Sequence, residues 1–237
     1  MKRQKNMAFA ALIYRILGFI LSVVGIVTHL LADNVTGAEF MVRHKLAFFT
    51  IQTNVFVAVL FAVLIVRTVM TWKKDNILVT AAVNPSLQLA VTFYISMTML
   101  GYWLLLVPFT RIPREPFLFI NTMLLHTITP LLAIFDHVCF APHGLVEKKD
   151  AFRWLAYPAV YVVGVMLYSQ TITTPYYSFQ MGGKTVELLY PYPFLDPNVL
   201  GPWGVAAAIL GLCVLFYLLS RLCIGLDLRR AGTKRKN

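Results

Sequence analysis

Leu46–Trp72 reads LAFFTIQTNVFVAVLFAVLIVRTVMTW, and no charged residue interrupts it between Leu46 and Val66. A run of this length crosses about 30 Å of bilayer hydrocarbon as a helix rising about 1.5 Å per residue. Five further runs have the same character: Met7–Leu31, Leu87–Val107, Pro116–Phe140, Phe152–Thr171 and Leu200–Ile224. Each is continuous and does not alternate apolar with polar residues, which argues against a membrane β-barrel. Composition agrees: 59% of residues are apolar and 13% charged, where a soluble domain carries about 25% charged residues. The expected fold is therefore all-α and polytopic, a single six-span membrane domain over residues 1–237. The first run follows Lys2, Arg3 and Lys5 as a signal peptide would. It is too long for one and no small-residue cleavage site follows, so it is read as a retained span.

Six spans alternate the sides on which the connecting segments lie. On the side of both termini fall Lys2, Arg3, Lys5 and Arg15, then Arg67, Lys73 and Lys74. Lys148, Lys149, Arg153, Arg221, Arg229, Arg230, Lys234, Arg235 and Lys236 join them, sixteen of the 21 Lys and Arg. Arg43, Lys45, Arg111, Arg114 and Lys184 fall on the other side. The positive-inside rule then predicts both termini in the cytoplasm. Arg15, inside the first run, is expected to snorkel to the inner surface. The basic run Arg229–Lys236 reads as an anchor to anionic head groups, or as a partner-binding tail. No nucleic-acid motif accompanies the net charge of +11, so membrane lipids rather than nucleic acid are the expected partners. Cys139, Cys213 and Cys223 lie within or at the ends of spans with no CxxC or Cys/His spacing. Neither a metal nor any other cofactor is expected.

Between the last two spans, residues 172–199 form a long outer segment containing Tyr176, Tyr177, Phe179, Tyr190, Tyr192 and Phe194. It reads either as a lid or as a loop lying on the head groups. Within the spans, polar residues at helical spacing mark faces turned from lipid. Thr50, Thr53 and Asn54 share one such face with Val57 and Phe61. Thr122, His126, Thr129, Pro130 and His137 share another, and Gln88, Thr92 and Ser96 a third. Asp136 and His137 fall near the end of their run and read as interfacial.

Thr50 and His126 lie on runs that both descend from the outer side. A hydroxyl with a neighbouring imidazole is the minimal pair for acyl transfer, because imidazole takes a proton near neutral pH. Thr53 and Asn54 are candidate oxyanion donors, and Thr129 a further substrate contact. The same groups also read as hydrogen-bonding glue between helices.

Three segments in order, Phe48-Phe49-Thr50, Leu125-His126-Thr127-Ile128-Thr129-Pro130-Leu131 and Tyr192-Pro193-Phe194-Leu195-Asp196, resemble the androgen-induced membrane protein family. Its members are six-span hydrolases of fatty acid esters of hydroxy fatty acids. Phe49-Thr50-Ile51-Gln52-Thr53-Asn54, Ala141-Pro142-His143-Gly144 and Tyr190-Pro191-Tyr192-Pro193-Phe194 look closer still to its prokaryotic relatives. The resemblance implies an intramembrane ester hydrolase acting on a long-chain lipid ester, with Thr50 as nucleophile and His126 as base. Thr53, one turn on, is a second candidate hydroxyl. It also implies a bacterial cytoplasmic membrane, with which the short loops agree. A transporter, channel or lipid-binding protein using the same stripes, and a passive scaffold, are the alternatives.

Overall fold

The computed structural model describes residues 2–36, 43–108, 112–181 and 184–234. Arg111, Arg235 and Lys236 of the charge pattern lie outside the described residues, as do the side chains of Phe179, Lys184 and Lys234. Six helices are long and apolar enough to cross a membrane: Lys2–Ala32, Phe49–Met70, Pro85–Leu106, Pro116–Phe140, Asp150–Ser169 and Pro197–Gly232. They match the six runs of the sequence, and the architecture is an all-α polytopic bundle.

In chain order the elements begin with α1 (Lys2–Thr36), α2 (Phe49–Met70), the short α3 (Ile77–Ala81) and α4 (Pro85–Leu100). The helix of α4 continues as a π-helical segment, Gly101–Leu106. The next span is α5 (Pro116–Met123), a π-helical turn Leu124–Ile128, and α6 (Thr129–Phe140). The short α7 (Asp150–Arg153) leads into α8 (Ala156–Ser169), and α9 (Pro197–Lys234) closes the chain. Two starts are written locally. Asn84 caps Leu87 N–H ahead of Pro85, and the Glu115 carboxylate caps Phe117 and Leu118 N–H ahead of Pro116, each with proline in the first turn where no N–H is needed. α9 carries a bend at Gly201–Pro202.

The outer surface of the bundle is apolar: Val160 is 71% exposed, Leu210 67% and Trp203 89%. Lipid tails are as apolar as these side chains, so burial alone does not draw the helices together. Close packing and hydrogen bonds do. Gly18 of α1 lies so near α2 that a Cβ there would stand 2.7 Å from the Phe61 ring. Around Phe61 pack Val57, Leu64, Ile95 and Ala133 from α2, α4 and α6. A second cluster joins Leu89, Phe93 and Met97 to Trp154 and Ile224.

Residues 172–181 and 184–196 carry regular structure. Antiparallel strands β1 (Tyr177–Met181) and β2 (Lys184–Leu188) pair Tyr177 with Leu188. Pro193–Leu195 make a 3-10 turn. Tyr176 is fully buried, and Tyr190 and Tyr192 nearly so. Asp196 ties this segment by accepting from Leu189 N–H and Asn198 N–H. At the base of the hairpin Tyr176 and Tyr177 pack against Phe48, just ahead of α2. The start of α1 and the end of α9 meet at the opposite end of the bundle, where Met7, Leu78, His143 and Ala231 line one cavity.

Arg15 departs from expectation. It is 1% exposed, and its Nε donates to Asp136 Oδ1 at 2.7 Å while its Nη1 donates to Thr68 Oγ1 at 3.2 Å. It does not snorkel, because Asp136 of α6 meets it at its own depth and neutralises it there. Asp136 and His137 are accordingly buried rather than interfacial, at 2% and 8% exposure.

Candidate active site

The chain reaches α2 through a sharp change of direction. His44 is left-handed (φ 52°), Lys45–Ala47 form a 3-10 turn, and Phe48 is extended. Thr50 is thus the second residue of α2, where backbone N–H groups have no intrahelical acceptor. No side chain of the local sequence caps them. Instead Phe49 N–H donates to the Tyr161 hydroxyl of α8 at 3.2 Å, and that hydroxyl donates to Ala47 C=O at 2.9 Å. The Tyr192 phenol faces the Thr50 and Tyr161 side chains and the backbone N–H groups of Phe49 and Thr50. Burial pushes the Tyr192 hydroxyl up from its ordinary value, so it remains an O–H donor at neutral pH. The helix start is therefore completed by tertiary contacts from α8 and the Tyr192 segment.

Thr50 Oγ1 lies 3.4 Å from His126 Nε2. This is long for a hydrogen bond. His126 Nδ1 stands 3.1 Å from Thr122 C=O. A carbonyl only accepts, so Nδ1 carries the proton and Nε2 presents its lone pair to the Thr50 O–H. The ring is held flat against Tyr102, with centroids 3.9 Å apart and planes 26° apart. Beside it, Trp103 Nε1–H donates to Thr127 Oγ1 at 3.1 Å. Tyr102 and His126 both sit in π-helical segments, a deviation that recurs at functional sites. Thr50 is 9% exposed.

Pro130 accounts for part of this geometry. In the π turn Thr129 N–H reaches back to Leu124 C=O. Pro130 has no N–H to offer the next carbonyl, that of Leu125. Asn54 Nδ2 of α2 takes it instead at 3.1 Å, and donates also to Thr50 C=O at 2.8 Å. Asn54 thereby ties the helix of Thr50 to that of His126. Its amide protons are engaged, so it positions the two helices rather than donating to an oxyanion. Thr53 is likewise occupied, with Thr50 C=O at 3.1 Å and Thr98 Oγ1 at 2.7 Å. Thr129 is fully buried and its hydroxyl has no hydrogen-bond partner. Replacing Asn54 by Leu leaves Leu125 C=O without its interhelical donor, and a loss of about 1–2 kcal/mol is expected. A thermal melt of the detergent-solubilised protein measures it, and an unchanged melting point contradicts the tie.

The third stripe does not join this site. Thr92 and Ser96 bond back to Gln88 C=O and Thr92 C=O on their own helix. From that helix Thr98 and Tyr102 reach the site instead. Tyr161, Tyr192 and Tyr102 are the site residues that sequence reasoning missed. Only Tyr192 carried a signal, as part of a motif already singled out. A cavity of about 840 Å³ lies between α8 and residues 43–47. Tyr161 and Gln52 line it, so it borders the Thr50 site without opening on Thr50 itself.

His137 and His143 converge with Asp227 of α9 at the termini's end of the bundle. Nothing in local spacing announces it, because Asp227 stands 84 residues from His143. Comparisons of the chain with protein-family models, with curated proteins and with solved structures find no match.

Proposed function

We propose that this protein is an intramembrane hydrolase of long-chain lipid esters, as its resemblance to the androgen-induced membrane protein family implies. The observation that carries the reading is the Thr50–His126 pair, with His126 Nδ1 on a carbonyl and Nε2 turned to the hydroxyl. In this reading Thr50 Oγ1 attacks the ester carbonyl as its proton passes to His126 Nε2. The resulting oxyanion is met by the Tyr192 O–H and by Thr50 N–H in the first turn of α2, whose positive helix end favours it. Collapse of the intermediate expels the alcohol, which takes the proton from Nε2–H. Water then attacks the acyl-threonine with His126 again as base, releasing the fatty acid and restoring Thr50. The charge asymmetry of the sequence orients the bundle with both termini in the cytoplasm, which puts the site in the outer half of the bilayer.

A fluorophosphonate probe tests the reading. It is expected to label the protein, with the adduct mapping by mass spectrometry to Thr50. Absence of labelling in folded protein, or an adduct elsewhere, overturns the assignment. Tyr192→Phe removes one oxyanion donor and is expected to lower kcat by about 10²-fold with KM little changed; a KM effect alone would assign Tyr192 to ground-state binding.

A further inference from the structure

The end of the bundle opposite the Thr50 site holds a second cluster. His137 lies in the last turn of α6, and His143 three residues beyond that helix's end at Phe140. His143 belongs to Ala141-Pro142-His143-Gly144, a motif the hydrolase reading leaves without a role. His143 Nδ1 stands 2.7 Å from Asp227 Oδ1, and His137 Nε2 stands 3.1 Å from the same oxygen. The side chains of His137, His143 and Asp227 are 10%, 4% and 2% exposed. Gly144 N–H donates to the other carboxylate oxygen at 2.8 Å. Gly144 permits that approach: its φ is +77°, and a Cβ there would fall 2.3 Å from Ala231 Cβ.

The protein's own protons do not close this cluster comfortably. Both nitrogens of His143 face acceptors, since Nε2 lies 3.2 Å from Val138 C=O. A neutral imidazole has one N–H. One of the two contacts therefore needs a second proton or another cation. On His137, Nδ1 is buried without a hydrogen-bond partner.

We propose that His137, His143 and Asp227 bind a divalent transition-metal ion, zinc by the chemistry of the donors. Two imidazoles and one carboxylate are a zinc-type set, with bonds of about 2.0–2.2 Å and a fourth position open to water. One ligand atom from each residue lies within 4.8 Å of the others, so small side-chain rotations would bring all three to one ion. With the metal on Nδ1, His143 Nε2–H donates to Val138 C=O, the outer partner that ligating histidines usually have. Gly144 N–H orients the carboxylate in the same way. A cavity of about 550 Å³, lined by Pro142, His143, Gly144, Leu228 and Ala231 among others, supplies an entry path. The ion would staple the turn after α6 to the end of α9. This site is separate from the Thr50 chemistry and does not rest on it.

The test uses full-length protein without a polyhistidine tag, stripped with a chelator and titrated with Co²⁺ in detergent. One equivalent is expected, with the visible absorption of four-coordinate cobalt and its displacement by Zn²⁺. Asp227→Asn and His143→Gln are expected to weaken binding at least tenfold, whereas His126→Gln leaves it unchanged. X-ray absorption on zinc-loaded wild-type protein gives a readout that needs no variant: a nitrogen and oxygen shell with scattering from two imidazoles. Folded wild type that takes up no cobalt overturns the site. So does a sulfur shell, or unchanged affinity in both ligand variants.

Discussion

Thr50→Ala is expected to lower kcat for a branched fatty acyl ester by a factor on the order of 10⁶, with no comparable change in melting point. Removal of a nucleophile that works as a unit with its base costs about this much elsewhere. The hydroxyl makes no bond on which the fold depends: its contact is the 3.4 Å approach to His126 Nε2, with the Tyr192 phenol nearby. Asn54 and Thr53 hold the Thr50 carbonyl, not its side chain, so Ala keeps the helix tie. Thr50→Ser should retain activity. His126→Gln keeps a polar side chain but loses the base, and a fall of about 10²–10⁴-fold is expected. The measurement is release of free fatty acid from substrate in mixed micelles. Wild-type turnover in Thr50→Ala would sink the mechanism. Turnover that survives in Thr50→Ala and vanishes in Thr53→Ala would move the nucleophile one turn along α2.

The largest stability effect is expected at Arg15. Its guanidinium and the Asp136 carboxylate are each almost wholly buried, 2.7 Å apart. Arg15→Met leaves an uncompensated carboxylate in a dry interior and should cost about 3–5 kcal/mol. Adding Asp136→Leu removes the orphan as well as its partner. Replacement of a whole buried pair by apolar groups is often near neutral, so the double variant should recover most of the loss. Thermal melts of the two single variants and the double in one detergent decide the matter. If the double variant is as unstable as the sum of the singles, the pair is not coupled and the reading of Arg15 fails.

The hydrolase reading and the metal staple occupy opposite ends of the same bundle and fail independently. Loss of cobalt binding in Asp227→Asn says nothing of Thr50, and loss of probe labelling in Thr50→Ala says nothing of His143. Gly144, Ala231 and the bend at Gly201–Pro202 of α9 concern how the last helix is seated, which both ends share.

The six spans were legible in the sequence because apolar length is a local property. Nothing beyond the run Leu46–Trp72 itself is needed to find α2. The polar stripes were legible too, and they brought forward Thr50 and His126, which the structure sets side by side. Helical periodicity could not carry the argument further. A π turn holds an extra residue, so the 3.6-residue register that links Thr122 to His137 is broken at Leu124–Ile128. Thr92 and Ser96 of the third stripe bonded back along their own helix, and no spacing rule foretells that choice. Arg15 read as a snorkelling charge because its partner lies 121 positions away. Tertiary structure alone decided which azimuth and depth each helix takes, and hence which polar groups meet. It brought Tyr161 and Tyr192 to the open N-terminus of α2, and Asp227 to His137 and His143. Apolar length is counted along the chain, whereas a hydrogen bond is counted across it.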